Sequence, residues 1–73
     1  MNPDEVAAES LTLIAKLCTT QSCPAVYSRK NGRAVIQGYR VDPAHHDVDL
    51  PDDEGLVEVP MELILEAAAR LAH

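Results

Sequence analysis

The sequence predicts a small α+β fold with the element order α-β-β-β-α, in which two helices pack on one face of a three-stranded antiparallel sheet. Two observations carry this prediction. Apolar residues recur at helical spacing near both ends of the chain, and an Asn-Gly pair separates two β-rich segments in its middle. The length of 73 residues suits a single domain, 1–73. Because the chain has no Trp or Phe, its core must be aliphatic.

Residues 3–19 are predicted to form the first helix. Asn2 suits the N-cap, Pro3 suits the first helical position, and Glu5 falls where a capping box needs its carboxylate. The helix is expected to end before Pro24, because a polar and partly β-branched run precedes that proline. Its apolar stripe at 3.6-residue spacing consists of Val6, Ala7, Leu11, Ile14, Leu17 and Cys18.

Residues 25–41 are predicted to form a β-hairpin that turns at its Asn-Gly pair, since both residue types tolerate positive φ. Two registers are open. A two-residue turn places Tyr27 opposite Ile36, whereas a three-residue turn with Gly32 in the left-handed region places Tyr27 opposite Val35. The second register pairs apolar with apolar side chains and is favoured, although it sets two arginines opposite each other.

Three further segments complete the predicted fold. Gly38 interrupts the hairpin and marks a bulge or a close approach by another backbone. An acidic loop is expected at 42–54, followed by a short strand at 55–59 that pairs with one strand of the hairpin. A second helix is predicted at 60–72. Its expected apolar face consists of Met61, Ile64, Leu65, Ala68, Leu71 and Ala72.

Charge is segregated along this chain, whose formal net charge is −6. Residues 24–41 carry four basic side chains and no acid, whereas 42–73 carry nine acids and one Arg. The acidic total argues against nonspecific duplex binding, which depends on neutralising phosphates. The N-terminus lacks the pattern of a signal peptide, and no apolar run could span a bilayer, so a cytoplasmic protein without membrane contact is expected. Abundant Ala and Arg beside two Lys favour a bacterial origin.

The stretch 44–55, AHHDVDLPDDEG, concentrates side chains that can bind metals. Asp47 and Asp49 have the spacing that begins a calcium loop, but Pro51 stands where a third oxygen ligand is needed, and Asp52 where the loop needs Gly. The two adjacent histidines point apart in an extended chain, so they do not suit one zinc ion. The stretch is therefore predicted to be a solvated loop without a metal or cofactor, with weak cation binding left open.

The two cysteines, Cys18 and Cys23, do not form a CxxC motif and have no second pair beside them. Cys18 is predicted to be a small buried apolar residue, and a reversible disulfide with Cys23 is left open. The sequence shows no glycine-rich phosphate loop, no motif around a serine, and no carboxylate pair with an evident pocket. The chain is therefore predicted not to be an enzyme and to have no catalytic residues.

The hairpin carries the strongest indication of function, because basic and aromatic side chains gather on it. The sequence favours a regulator or adaptor that acts by binding another protein, with a homodimer joined by basic tip and acidic loop left open. The alternatives are a nucleic-acid-associated regulator that uses the same hairpin and a metal- or redox-sensing protein. The predicted contact residues are Tyr27, Arg29, Lys30, Arg33, Val35 and Tyr39.

Overall fold

The computed structural model describes residues 10–72. They form a small α+β arrangement in which a three-stranded antiparallel sheet has the strand order β1-β2-β3, and a second sheet pairs β4 with β5. Within these residues, a single α-helix follows the last strand. The elements are β1 (Thr12–Lys16), β2 (Ala25–Ser28), β3 (Ala34–Gln37), β4 (Tyr39–Val41), β5 (Leu56–Glu58) and α1 (Met61–Leu71).

The predicted first helix is wrong where the structure describes it, because residues 12–16 form an edge strand of the first sheet. The earlier part of that prediction, 3–9, lies outside the described residues. Apolar residues at positions 11, 13, 15 and 17 also fit the two-residue period of a strand, and Thr12 and Ile14 are β-branched, which favours extended backbone. Both periods fitted this segment, and among residues 10–72 a single helix covers the sheet.

A bulge in β1 distributes its apolar side chains over both faces of the sheet. Leu13 pairs with Tyr27 and Ala15 pairs with Val26, so Ile14 is the extra residue. Since successive residues of β2 point to opposite faces, Leu13 shares the face of Tyr27, and Ala15 shares the face of Val26. Ala15 and Val26 are buried in the core with α1, whereas Leu13 is 50% exposed on the other side.

The favoured hairpin register is confirmed, with Tyr27 opposite Val35. Gly32 has φ +80°, in the left-handed region that glycine adopts most readily. The Arg29 N–H donates to the Arg33 carbonyl at 2.8 Å, and the Gly32 N–H donates to the Arg29 carbonyl at 3.2 Å. The pairing of apolar side chains therefore outweighs the repulsion between the two facing arginines. This repulsion is weak because solvent screens charges at an exposed site.

The predicted hairpin 25–41 divides at Gly38. The expected close approach of another backbone is confirmed, because a Cβ at this position would lie 2.7 Å from Val59 Cγ1 and closer still to the Glu58 carbonyl oxygen. After Gly38 the chain leaves the first sheet and forms β4, which pairs with β5 inside the segment predicted at 55–59. The predicted single sheet is therefore wrong: the strands form two sheets, and β1 is the third strand of the first sheet.

Helix α1 packs on β1 and β2 and closes a small aliphatic core. Ala15 and Val26 from the sheet meet Leu63 and Ala67 from the helix, and all four are buried. Alanine on both sides lets the helix approach the sheet closely, which keeps the packing dense with few large side chains. The residues packed around this core are Ile14, Leu17 and Val59.

The helix docks through a different side from the one predicted. Leu63 and Ala67, which the predicted apolar face leaves out, are buried, whereas Met61 and Leu65 are 77% and 69% exposed. Leu71 is also exposed. At 3.6 residues per turn, apolar residues occupy more than half of the circumference of α1, so the spacing alone does not determine which part meets the sheet.

Cys18 and Cys23 form a disulfide across the turn between β1 and β2, with their Cα atoms 4.0 Å apart. The prediction that Cys18 is a buried apolar residue is wrong, because its side chain is exposed and bonded. The Thr19 N–H donates to the Ser22 carbonyl at 2.7 Å and narrows the turn. Antiparallel strands joined by so short a segment bring their flanking residues together, so the disulfide that the sequence left open is formed.

Candidate functional site

One face of the first sheet points away from α1 and carries a row of three apolar side chains. Leu13 lies opposite Tyr27, and Tyr27 lies opposite Val35, so the three share one face. Leu13 is exposed, and the other two are half-buried. We call the surface formed by Leu13, Tyr27 and Val35, together with the neighbouring Arg29 and Arg33, the open face.

Two hydrogen bonds hold the Tyr27 ring on the open face. Its hydroxyl donates to Gln37 Oε1 at 3.2 Å, and Gln37 Nε2 donates to the Cys23 carbonyl oxygen at 3.0 Å. Ala25 lies opposite Gln37 and is fully buried on this side of the sheet, where strand alternation places it between the Tyr27 and Gln37 side chains. The ring is therefore held in place by contacts within the chain itself.

Arg29 and Arg33 extend the open face toward the hairpin turn. Arg29 directly follows β2 and Arg33 directly precedes β3, and the bond from the Arg29 N–H to the Arg33 carbonyl continues the strand pairing to them. The alternation of side chains therefore places both on the side of Tyr27 and Val35. Both arginines are exposed, and Asn31 Oδ1 accepts the Arg33 N–H at 3.1 Å, which braces the turn between them. An aromatic and aliphatic centre is thus bordered by positive charge.

The structure places four of the six predicted contact residues on the open face. Lys30 lies beside them, exposed in the turn. Tyr39 lies apart from this group, on β4 opposite Glu58, and is 54% exposed. Its surroundings form a cleft of about 500 Å³ between the disulfide turn and the β4–β5 sheet. Tyr39 is therefore separate from the hairpin surface to which the sequence assigned it.

Sequence reasoning missed Leu13, which belongs to the open face, and Gln37, which supports it. Leu13 escaped because its segment fitted a helix, although the alternation of Leu11 and Leu13 around Thr12 was a usable signal. Gln37 matters through its bond to the Cys23 carbonyl, 14 residues away along the chain. No local pattern in the sequence predicts the hydrogen bond between Gln37 and Cys23.

The acidic stretch at 44–55 is largely exposed and follows a short 3-10 turn, Pro43–His45. Asp42 caps this turn, since its Oδ1 accepts the Ala44 N–H at 3.0 Å and its Oδ2 lies 3.5 Å from His45 Nε2. Within residues 10–72, no three side chains of His, Cys, Asp or Glu converge in a way that could hold a metal ion.

Comparisons of the chain with protein-family models, with curated proteins and with solved structures found no match. Across residues 10–72, no helix has both the length and the apolar character needed to cross a membrane. The function of this protein is therefore inferred from its own residues and their geometry.

Proposed function

We propose that this chain is a non-enzymatic regulator or adaptor that binds an acidic segment of another protein against its open face. The observation that carries this proposal is the row of Leu13, Tyr27 and Val35, opposite the helix-covered face and bordered by Arg29 and Arg33. Apolar surface left in water is stabilised when a partner covers it. Tyr and Arg are also the residue types that dominate binding energy at protein interfaces.

Charge supports an acidic partner. Arg29, Lys30 and Arg33 lie in or beside the hairpin turn and are exposed, and the segment 24–41 that contains them has no acid. Complementary charge at the rim of an interface speeds the encounter and rejects basic partners. The apolar row then supplies the area that excludes water.

A matched pair of charge reversals tests this proposal. Arg33→Glu changes the open face, and Arg40→Glu makes the same charge change at an exposed site on β4. After capture of a partner by the wild-type chain, we expect Arg33→Glu to weaken the measured affinity about tenfold, or about 1.4 kcal/mol, and Arg40→Glu less than twofold. Equal affinities for all three chains would show that the partner binds elsewhere.

A nucleic-acid-associated function is a second candidate, supported by the same neighbourhood of Tyr27 with two arginines. Basic surfaces with an aromatic platform bind single strands by stacking and phosphate contact. It predicts binding of labelled single-stranded DNA or RNA that weakens steeply as salt rises. If the chain binds a protein instead, no complex with nucleic acid should form at low salt. A nucleic-acid complex that Arg33→Glu abolishes would therefore favour this second candidate over the protein-binding proposal.

A redox-sensing function is a third candidate, supported by the position of the disulfide. The Cys23 carbonyl accepts from Gln37, which in turn accepts from the Tyr27 hydroxyl, so the disulfide turn supports the ring on the open face. In the cytoplasm, where we propose that the chain acts, glutathione and thioredoxin reduce such bonds. Partner affinity measured with and without a dithiol reductant separates a redox sensor from a constitutive binder.

A further inference from the structure

Helix α1 carries a second exposed apolar surface, which no other element within residues 10–72 covers. Four large side chains on it are exposed, with fractions of 77% for Met61, 69% for Leu65, 59% for Leu71 and 40% for Ile64. Amphipathic helices normally turn such residues inward. We call this surface the outer stripe, and its members are Met61, Ile64, Leu65, Ala68, Leu71 and Ala72.

We infer that the outer stripe binds a second copy of this chain, through antiparallel pairing of two α1 helices. This homodimer rests on the proposed function in one respect, namely that the chain acts through its surface. It uses a different surface from the open face. The hairpin contact and the helix contact can therefore fail independently.

The centre of the outer stripe is complementary to itself when the helices run in opposite directions. Along this central line, Met61 and Leu65 are large and Ala68 and Ala72 are small, while the large side chains of Ile64 and Leu71 lie along one flank. Antiparallel pairing sets Met61 against Ala72 of the second copy, and Leu65 against Ala68. Large side chains then fill the spaces above small ones, as dense packing requires. Parallel pairing would set large against large and leave a void at the alanines.

Charge does not oppose this pairing. The charged residues of α1 are Glu62, Glu66 and Arg70, and at 3.6 residues per turn all three fall outside the arc of the outer stripe. Arg70 is bonded to Glu66 and to the Ile14 carbonyl on the sheet side of the helix. The outer stripe therefore matches an uncharged apolar surface of its own length, and the outer stripe of a second copy is such a surface.

The area sets the expected strength of the dimer. The six exposed members of the outer stripe offer at most on the order of 500 Å² per copy, so a pair would bury up to about 1,000 Å², at the lower limit of a specific interface. Interfaces at this limit are weak, so we expect a dissociation constant of roughly micromolar order.

Sedimentation velocity over a concentration series tests the dimer. The wild-type full chain should shift from monomer to dimer between about 1 and 100 µM. Leu65→Glu places a charge in the stripe and should weaken dimerisation at least 30-fold, without changing the circular dichroism spectrum, because Leu65 is largely solvent-exposed. Val48→Glu is the control, because it places the same charge at another exposed apolar site, in the acidic loop, and should leave dimerisation unchanged.

Cysteine crosslinking tests the orientation. A mixture of the Met61→Cys and Ala72→Cys full chains should form an intermolecular disulfide under mild oxidation, whereas Met61→Cys alone should not, because an 11-residue helix separates its ends by about 16 Å. Crosslinking of Met61→Cys alone would show parallel pairing and overturn the antiparallel assignment.

Three other outcomes would overturn the inference. A wild-type chain that stays monomeric at 100 µM has no such dimer, and a dimer that survives Leu65→Glu uses another surface. A monomer that Leu65→Glu destabilises would show that residues of the same chain cover the stripe. In all three cases the Arg33→Glu affinity measurement still decides the open-face proposal separately.

Discussion

The guanidinium group of Arg70 joins the end of the helix to the bulge in β1. Its Nη1 donates to the Ile14 carbonyl oxygen at 2.8 Å, and its Nη2 donates to Glu66 Oε1 at 2.8 Å. Ile14 is the extra residue of the bulge and has no cross-strand Cα partner. A helix side chain thus binds the backbone where the strand ladder is interrupted, 56 residues away in sequence.

Replacing Arg70 should loosen the helix from the sheet. Arg70→Gln removes the charged donor from Ile14 and the ion pair with Glu66, and we expect the free energy of unfolding to fall by about 1 kcal/mol, since both partners are partly exposed. Urea denaturation measures this change. Arg40→Gln, at an exposed site on β4, should leave stability unchanged, and an equal loss in both variants would remove the special role of Arg70.

A methyl group at Gly38 should separate the two sheets. Its Cβ would collide with the Glu58 carbonyl and the Val59 side chain, so we expect Gly38→Ala to lower stability by about 2 kcal/mol. Gly55→Ala is the matched control, because a Cβ there meets nothing within 4 Å, and the change should stay within about 0.5 kcal/mol. Thermal unfolding of both variants decides the matter, and a tolerated Gly38→Ala would contradict the close approach of β5.

Several features of this fold were predictable from the sequence alone. A local rule predicts the hairpin register, because Gly32 must adopt positive φ and the apolar residues must pair. Gly38 was likewise predicted to mark a bulge or a close approach, and the structure shows the close approach. The C-terminal helix followed from its spacing, with Pro60 at its N-cap. Each depends on residues that are neighbours in sequence or on one strand.

The features that were mispredicted depend on distant contacts. Residues 12–16 fit both a helical and a strand period, and only pairing with β2 selects the strand. The helix was assigned its widest apolar arc as the buried side, yet Leu63 and Ala67 dock against Ala15 and Val26, in an orientation that also lets Arg70 reach the Ile14 carbonyl. Such choices are made by tertiary packing, which overrides local propensity.

Removing the disulfide should destabilise the chain without unfolding it. Closing so short a loop restricts the unfolded chain by about 2 kcal/mol, so we expect Cys18→Ser/Cys23→Ser to lose roughly that much stability. Guanidinium denaturation of the oxidised wild type, the reduced wild type and the double variant measures it. Reduction and substitution should agree, and a difference of more than about 1 kcal/mol between them would indicate a role for the free thiols.

A charge placed on the apolar row should abolish partner binding while the fold survives. Leu13 is 50% exposed, so Leu13→Glu should leave the circular dichroism spectrum intact and weaken the captured complex more than about 30-fold. Val57→Glu, at a site 45% exposed on β5, makes the same kind of change outside the open face and should bind normally. Comparable losses in both variants would point to a nonspecific effect of added charge.

The most direct test of the central claim is an NMR titration of the ¹⁵N-labelled chain with its captured partner. We predict that the largest amide shift changes fall on the open face, at Leu13, Tyr27, Arg33 and Val35, while the acidic loop at 42–54 stays unperturbed. Changes confined to the acidic loop, or to the cleft beside Tyr39, would contradict the claim that this protein acts through the uncovered face of its first sheet.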